Sequence, residues 1–178
     1  MTEELQRESL EWSANVRRIL REIREVRLGT LDQAATPELD RSVIARAESG
    51  RTKNLYWHQV YAIAKRLDID PRMLMALDPR VTKSHWPPAA LDVEDWGWVA
   101  RVNLRSWRGG MGTPTLAGLA DMHQSSIVRI ESGEYAQLDL VRLFRAFKAL
   151  GHDIVQAFEL PPEECADERR EEPAGESR

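Results

Sequence analysis

Apolar residues recur at helical spacing along most of the chain. Between Thr113 and Gly151 they lie three and four positions apart, as on the buried side of an amphipathic helix. Tight breaks divide this stretch into four short helical pieces, and the last piece carries a wide apolar stripe from Leu140 to Leu150. The pattern predicts an all-α fold in which this stripe closes the core.

The second and third pieces have the spacing of a helix-turn-helix. Pro114 suits the first position of a helix that Thr113 caps, and after a short break another helix begins at Gln124. Gly133 is expected to end that second helix, because only glycine adopts a left-handed conformation there without steric cost. The helix should bury isoleucines and turn its polar residues outward, namely Gln124, Ser125, Ser126 and Arg129.

The same pattern occurs a second time, 83 positions earlier and without gaps. The aligned pairs include Ala34 with Ala117, Ser42 with Ser125, Ile44 with Ile127, Arg46 with Arg129, and Glu48 with Glu131. In this first copy Thr30 caps a short helix that ends at Thr36-Pro37, because a proline disfavours helix in the preceding residue. Asp40 then caps a helix that begins at Arg41. This register indicates a tandem duplication.

The string LAGLADMHQSSIVRIESG, followed by a turn and a further helix, resembles the lambda-repressor-like domain of the XRE (Cro/cI-type) family of bacterial and phage regulators. The resemblance implies two tandem helix-turn-helix domains of that type. It also implies that the helices opened by Arg41 and Gln124 are recognition helices, which lie in the major groove of DNA.

The family resemblance assigns base contacts to the outward residues near the start of each recognition helix and to the sixth residue. The implied base contacts are Gln124, Ser125, Ser126 and Arg129 in the second repeat, and Arg41, Ser42 and Arg46 in the first. The side chains suit this role, because glutamine pairs bidentately with adenine and arginine with guanine. The alternative is that these residues merely form the solvated face of a helix.

Phosphate contacts are implied at the start of helix two and after the recognition helix. They are Thr113, Tyr135 and Gln137 in the second repeat, and Thr30, Arg51, Lys53 and Asn54 in the first. The first repeat should therefore supply most of the non-specific attraction to DNA. Thr113 is equally well explained as a helix cap alone.

The first repeat departs from the family pattern, because Pro37 interrupts its helix two. This repeat has either lost tight docking on DNA or reads a different half-site. The resemblance further implies that Glu48 and Glu131 each pair with an arginine of helix one, with Arg24 and Arg105 as the candidates.

Composition and periodicity divide the chain into five segments. Residues 1–13 form an acidic lead-in, 14–78 the first helix-turn-helix domain, 79–94 a linker containing proline and tryptophan, and 95–160 the second domain. Residues 161–178 are acidic and lack apolar side chains, so we expect them to be disordered. The tryptophans near the linker indicate either a contact between domains or completion of the second domain's own core; they are Trp86, Trp96, Trp98 and Trp107.

The end of the second domain, residues 153–160, alternates weakly as a β-strand does, and Pro161-Pro162 stops the pattern. A fifth helix, like the one predicted at the same place in the first repeat, is the alternative. Several XRE-type antitoxins are similar here. A strand would therefore provide a homodimer contact through residues 153–160, or a site for a protein partner such as a toxin.

Charge and composition fit a DNA-binding role. The net charge is −4, yet residues 14–160 hold 21 basic and 18 acidic residues, which is sufficient if the bases share one face. The four histidines have no metal-like spacing, and Cys165 has no second thiol, so we predict no enzyme, no metal and no cofactor. A single cysteine, the lack of a leader and the lack of a membrane-length apolar run favour the cytoplasm of a bacterium, or a phage-encoded protein associated with the nucleoid when bound.

The sequence therefore predicts a transcription regulator, a repressor, that binds specific double-stranded DNA through two recognition helices per chain. The main alternative is an XRE-type antitoxin or adaptor that binds a protein partner through its terminal strand and tail while autoregulating its operon. An interaction module without a role on DNA is the third alternative.

Overall fold

The computed structural model of the protein describes residues 2–51, 54–75, 93–132 and 138–159. Within them lie nine α-helices and one 3₁₀ helix, and no strand, so the all-α prediction is confirmed for these ranges. The helices are α1 (Thr2–Leu28), α2 (Leu31–Ala34), α3 (Arg41–Ser49), α4 (Trp57–Arg66), α5 (Pro71–Met75), α6 (Val93–Arg108), α7 (Thr113–Leu119), α8 (Gln124–Ser132) and α9 (Leu140–Ala149), with the 3₁₀ helix at Ile154–Phe158. None of the described helices is both long and apolar enough to cross a bilayer. Most of the predicted linker, the acidic tail and Gly133 lie outside the described residues.

Helix α1 includes the segment that the sequence marked as a lead-in. Its buried residues Trp12, Val16 and Leu20 are four positions apart and therefore share one face of the helix. Residues 2–13 thus form the first half of a single long helix. They become helical because Trp12 anchors them in the core, where it is 2% exposed.

The short helices before each polar helix begin differently. Thr30 caps α2 as predicted, since its hydroxyl accepts from the Gln33 N–H at 3.3 Å while the Gln33 side chain accepts from the Thr30 N–H at 2.8 Å. In the second repeat Gly112 is the N-cap of α7 and no side chain caps it. The prediction that Thr113 caps this helix is therefore wrong by one residue, because Thr113 already lies in the first turn.

Both polar helices begin where the pattern predicts, and the first ends at a glycine. Asp40 caps α3, and its carboxylate accepts from the Ser42 N–H at 2.6 Å. Gly50 ends α3 with a φ of 67°, a left-handed conformation in which a side chain would be strained. Helix α8 begins at Gln124, the predicted residue.

The two repeats are joined by reciprocal backbone hydrogen bonds just before α4 and α9. The Trp57 N–H donates to the Leu138 carbonyl at 2.8 Å, and the Leu140 N–H donates to the Leu55 carbonyl at 2.8 Å. The offset of 83 positions converts Leu55 to Leu138 and Trp57 to Leu140. Replacing each residue by its counterpart in the other repeat therefore converts one hydrogen bond into the other. This reciprocity is typical of a two-fold, isologous contact.

Helix packing follows the same exchange. Helix α1 lies on α9, α6 lies on α4, and α5 lies against the 3₁₀ helix. Trp12 stacks on Phe144 with ring centroids 4.8 Å apart, and Trp96 meets Trp57 edge-on at 6.5 Å. Helix one of each repeat thus packs against the last long helix of the other, and one hydrophobic cluster runs through both repeats.

Both explanations for the tryptophans hold, each for a different residue. Trp96 packs between repeats, because it contacts Trp57 of the first repeat as well as Phe158 of the second. Trp107 instead completes the core of its own repeat, against Phe147 at 5.3 Å and His152 at 3.7 Å. Trp86 lies outside the described residues.

The predicted terminal strand at residues 153–160 is wrong for its described part. Residues Ile154–Phe158 form a 3₁₀ helix, because Asp153 and Gln156 make a capping box that closes its first turn. Ile154, Ala157 and Phe158 are all buried in the chain's own core, and that spacing is helical. The predicted homodimer through 153–160 and the strand-mediated partner site therefore lose their structural basis.

Candidate nucleic-acid interface

Helix α8 separates a buried side from an exposed side. Ile127 and Ile130 are 0% and 3% exposed, while Gln124, Ser125 and Arg129 are exposed. Ser126, also predicted to contact bases, is half-buried. The polar residues are therefore presented to solvent on a helix whose other face is fixed in the core.

Gln124 is oriented by a neighbouring helix. Its amide Nε2 donates to the Thr113 hydroxyl at 3.2 Å, which joins the first residue of α7 to the first residue of α8. A predicted phosphate contact and a predicted base contact are thus brought together. A glutamine held this way loses less rotamer freedom when it pairs with a base edge.

Helix α3 presents its arginines in the same manner. Ile44 and Ala47 are buried, and Arg41, Ser42 and Arg46 are exposed. The Arg46 guanidinium lies along the helix, with Nε donating to the Ser42 carbonyl at 3.1 Å and Nη2 to the Ser42 hydroxyl at 3.3 Å. The two polar residues therefore form one connected hydrogen-bonding surface.

Acidic groups accompany the first polar helix and are lacking at the equivalent positions of the second. Arg41 pairs with Asp32 at 3.3 Å, but their side chains are 62% and 74% exposed, so the pair is weak and easily exchanged. Hydrogen bonds from the Ser42 side chain and backbone lower the pKa of Asp40, which keeps it ionised. The counterparts of Asp32 and Asp40 are Thr115 and His123.

The residues predicted to contact phosphates differ in how they are exposed and hydrogen-bonded. Thr30 lies in its capping box, and Arg51 is exposed directly after α3. The Asn54 amide donates to the Tyr56 hydroxyl at 2.8 Å, so it is held against the protein surface. Lys53, Tyr135 and Gln137 lie outside the described residues.

Two further arginines lie beside the polar helices: sequence reasoning missed Arg21, and it named Arg105 only as a candidate partner of Glu131. Arg21 Nη2 donates to the Glu48 carbonyl at 3.0 Å, and Arg105 Nη2 donates to the Glu131 carbonyl at 2.5 Å. An open groove beside α3 is lined by residues that include Arg21, Ser42, Arg46 and Arg51. The missed signal is an offset of 84 within helix one, because the stretch from Arg108 to Thr113 is one residue shorter than the equivalent stretch from Arg24 to Thr30.

A buried ion pair fixes the last turn of each polar helix to helix one. Arg24 binds Glu48 through Nε and Nη2 at 2.7 and 2.9 Å, as predicted, and this hydrogen bonding raises the pKa of Arg24. Glu131 is bound by Arg108 at 2.7 and 3.2 Å, so Arg105 was the wrong partner. Bidentate pairs of this kind define position and angle together, so both polar helices are held rigidly.

Val128 is an exposed apolar residue on α8, at 42% exposure. It lies beside Arg129, and its counterpart in α3 is Ala45. An exposed apolar side chain among polar ones on a helix face can contact the methyl group of thymine. Sequence reasoning passed over Val128 because it considered only hydrogen-bonding residues.

The described residues thus define an all-helical protein in which a short helix, a tight turn and an exposed polar helix occur twice. Comparison with protein-family models, with curated proteins and with solved structures found no match to the chain.

Proposed function

We propose that the chain is a sequence-specific, double-stranded DNA-binding regulator of transcription that represses by occupying its site. Helices α3 and α8 act as the recognition helices. The observation that carries the proposal is their shared construction: each buries an apolar side, exposes arginine with serine or glutamine, and is fixed to helix one by a bidentate arginine–glutamate pair.

The chemistry of the exposed residues supports base recognition. Gln124 has the donor and acceptor needed for adenine, and Arg41, Arg46 and Arg129 have the paired donors needed for guanine. Arg21, Arg51 and Arg105 would add contacts to phosphates, which supply most of the affinity and its dependence on salt.

The arrangement of the repeats supports a single chain acting as two half-site readers. Reciprocal bonds and a shared core hold α3 and α8 in one body, as an interface holds the two subunits of a dimeric repressor. Recognition helices in such dimers enter successive major grooves about one helical turn of DNA, ~34 Å, apart. One chain would therefore cover two adjacent grooves without a partner.

The antitoxin or adaptor alternative depended on a terminal strand and on the acidic tail, and the tail lies outside the described residues. Because Ile154, Ala157 and Phe158 are buried in the chain's own core, that strand is not available for pairing. No observation on the described residues favours a protein partner, so we carry the DNA-binding proposal alone.

The test is enrichment of random duplex DNA by the 178-residue chain at one stated salt concentration. A consensus sequence should emerge, and the combined change of Gln124→Ala and Arg129→Ala should abolish its enrichment. Arg18→Ala is the matched control, because Arg18 pairs with Glu22 at 2.7 Å on the exposed side of α1. If the wild-type chain retains only unselected DNA, the proposal is wrong.

A further inference from the structure

Two recognition units in tandem within one chain can be related in two ways. A translation would orient both units alike and suit directly repeated half-sites, whereas a two-fold axis would oppose them and suit inverted half-sites. Sequence order alone does not distinguish these arrangements. The contacts between the repeats do.

Reciprocity is the distinguishing property. In a head-to-tail arrangement, one surface of the first repeat contacts a different surface of the second. Here the same surface of each repeat takes part, because the isolated bridge between the repeats joins Tyr56 to Asp139, residues exactly 83 positions apart. A residue that pairs with its own counterpart lies on or next to a two-fold axis.

Two more contacts obey this relation. Helix α5 packs on the 3₁₀ helix, and the offset of 83 converts Pro71–Met75 into Ile154–Phe158. Helix α1 packs on α9, and α6 packs on α4. Because α6 is the counterpart of α1 and α4 is the counterpart of α9, exchanging the repeats converts one contact into the other. Among the described residues, the backbone bonds and the main helix contacts between the repeats are therefore self-complementary.

We infer that the target is an inverted pair of unlike half-sites, bound by one chain. This inference rests on the proposed DNA-binding function and adds the orientation and composition of the site. Duplex DNA has two-fold axes perpendicular to its length, so two readers related by a two-fold axis meet half-sites of opposite orientation.

The two half-sites differ in a defined way. Equivalent first positions hold Arg41 and Gln124, which suit guanine and adenine respectively, whereas the sixth positions hold arginine in both helices, Arg46 and Arg129. The DNA site is therefore an inverted repeat. Its two half-sites have different bases where Arg41 and Gln124 contact them and the same base where Arg46 and Arg129 contact them.

The test is selection from duplexes with a random core of about three helical turns, ~30 base pairs, followed by comparison with the Arg41→Gln chain. Wild type should select inverted half-sites that differ where Arg41 and Gln124 read them. Arg41→Gln should select the same base there in both half-sites, and prefer that site over the wild-type site by about 5- to 150-fold, the range of one bidentate base pair contact. Arg18→Gln makes the same charge change outside the recognition helices and should select the wild-type site.

The outcomes separate this inference from the proposed function. Directly repeated half-sites, a single half-site, or two chains on each selected duplex would overturn the inference while leaving DNA binding intact. If the Arg41→Gln chain selects the same DNA sequence as wild type and unfolds at the wild-type temperature, the assigned difference between the two half-sites is wrong. Absence of any enrichment by wild type would overturn both proposals together.

Discussion

The two repeats of the molecule differ most in how firmly the short helix before each polar helix is held. Helix α7 runs from Thr113 to Leu119, and Arg145 of α9 binds its C-terminal end, with Nε donating to the Ala120 carbonyl at 2.9 Å and a pair to Asp121 at 2.7 Å. Helix α2 spans only Leu31–Ala34.

The carbonyls at the C-terminal end of α2 accept weaker hydrogen bonds than those of α7. Arg66 donates to the carbonyls of Gln33 and Ala34, both at 3.4 Å, which is near the limit of a hydrogen bond. A turn bridged between Thr36 and Leu39 replaces the remaining helix, as Pro37 requires. The first repeat thus has the greater number of arginines and the looser frame, and the second repeat the opposite.

This difference teaches a division of labour within the proposed function. Gln124, whose amide is held by the Thr113 hydroxyl, suits discrimination between bases, because a positioned side chain loses less entropy on binding. Arg51, which is exposed directly after α3, gives the first repeat the larger electrostatic contribution, and the neighbouring acids Asp32 and Asp40 moderate it.

The largest effect should come from the core that the repeats share. Trp57→Ala removes a ring that stacks on Phe158 at 4.4 Å and meets Trp96, so it should lower the free energy of unfolding by about 3–5 kcal/mol. Hydrogen exchange should show both repeats weakened equally. Weakening confined to residues 14–78 would mean that the repeats fold independently.

The buried ion pairs should differ in strength between the repeats. Arg24 and Glu48 are 6% and 4% exposed, against 20% and 10% for Arg108 and Glu131. Glu48→Gln leaves a more deeply buried arginine without its charge partner and should cost about 3–5 kcal/mol, and Glu131→Gln should cost less, about 1–3 kcal/mol. Urea denaturation measures both, and equal losses would contradict the ranking.

The sixth-position arginines should act on separate parts of the DNA site. Arg46→Ala and Arg129→Ala should each weaken binding to the selected sequence by about 1–3 kcal/mol and relax preference only in its own half-site. Electrophoretic mobility shifts with duplexes altered in one half-site measure this. Relaxed preference in both half-sites from either change would show that the two readers are not independent.

The smallest effect should come from the acid beside α3. Asp32→Asn frees Arg41 and removes a negative charge from the side that we propose faces DNA, so affinity for DNA should rise by up to about fivefold at low salt. Glu22→Gln breaks an equally exposed pair, with Arg18, and serves as the control. A decrease in affinity for Asp32→Asn would mean that the pair with Asp32 orients Arg41 productively.

Periodicity and capping chemistry were enough to predict most helix boundaries. Thr30, Asp40 and Gln124 begin or precede helices as predicted, because local hydrogen bonds and apolar spacing decide these positions. The terminal segment was wrong because five residues fit both a strand and a helix, and burial of Phe158 against Trp57 decided between them. No local pattern carries that long-range contact.

The site was predicted less completely than the fold. The outward residues of α3 and α8 could be read from spacing, whereas Arg21 and Arg105 are added by the packing of helix one. The partner of Glu131 was misassigned because one residue fewer separates Arg108 from Thr113 than Arg24 from Thr30, which shifts the register of helix one. The two-fold relation between repeats depends on contacts that the aligned sequences do not contain.

The proposed function requires that one chain places two recognition helices on one DNA duplex. Methylation protection of guanine N7 on a selected duplex, together with the mass of the complex, measures this directly. We predict two protected major-groove patches about one helical turn apart, ~10 base pairs, under a single chain. One protected patch under a single chain, or two patches that require two chains, would contradict the account.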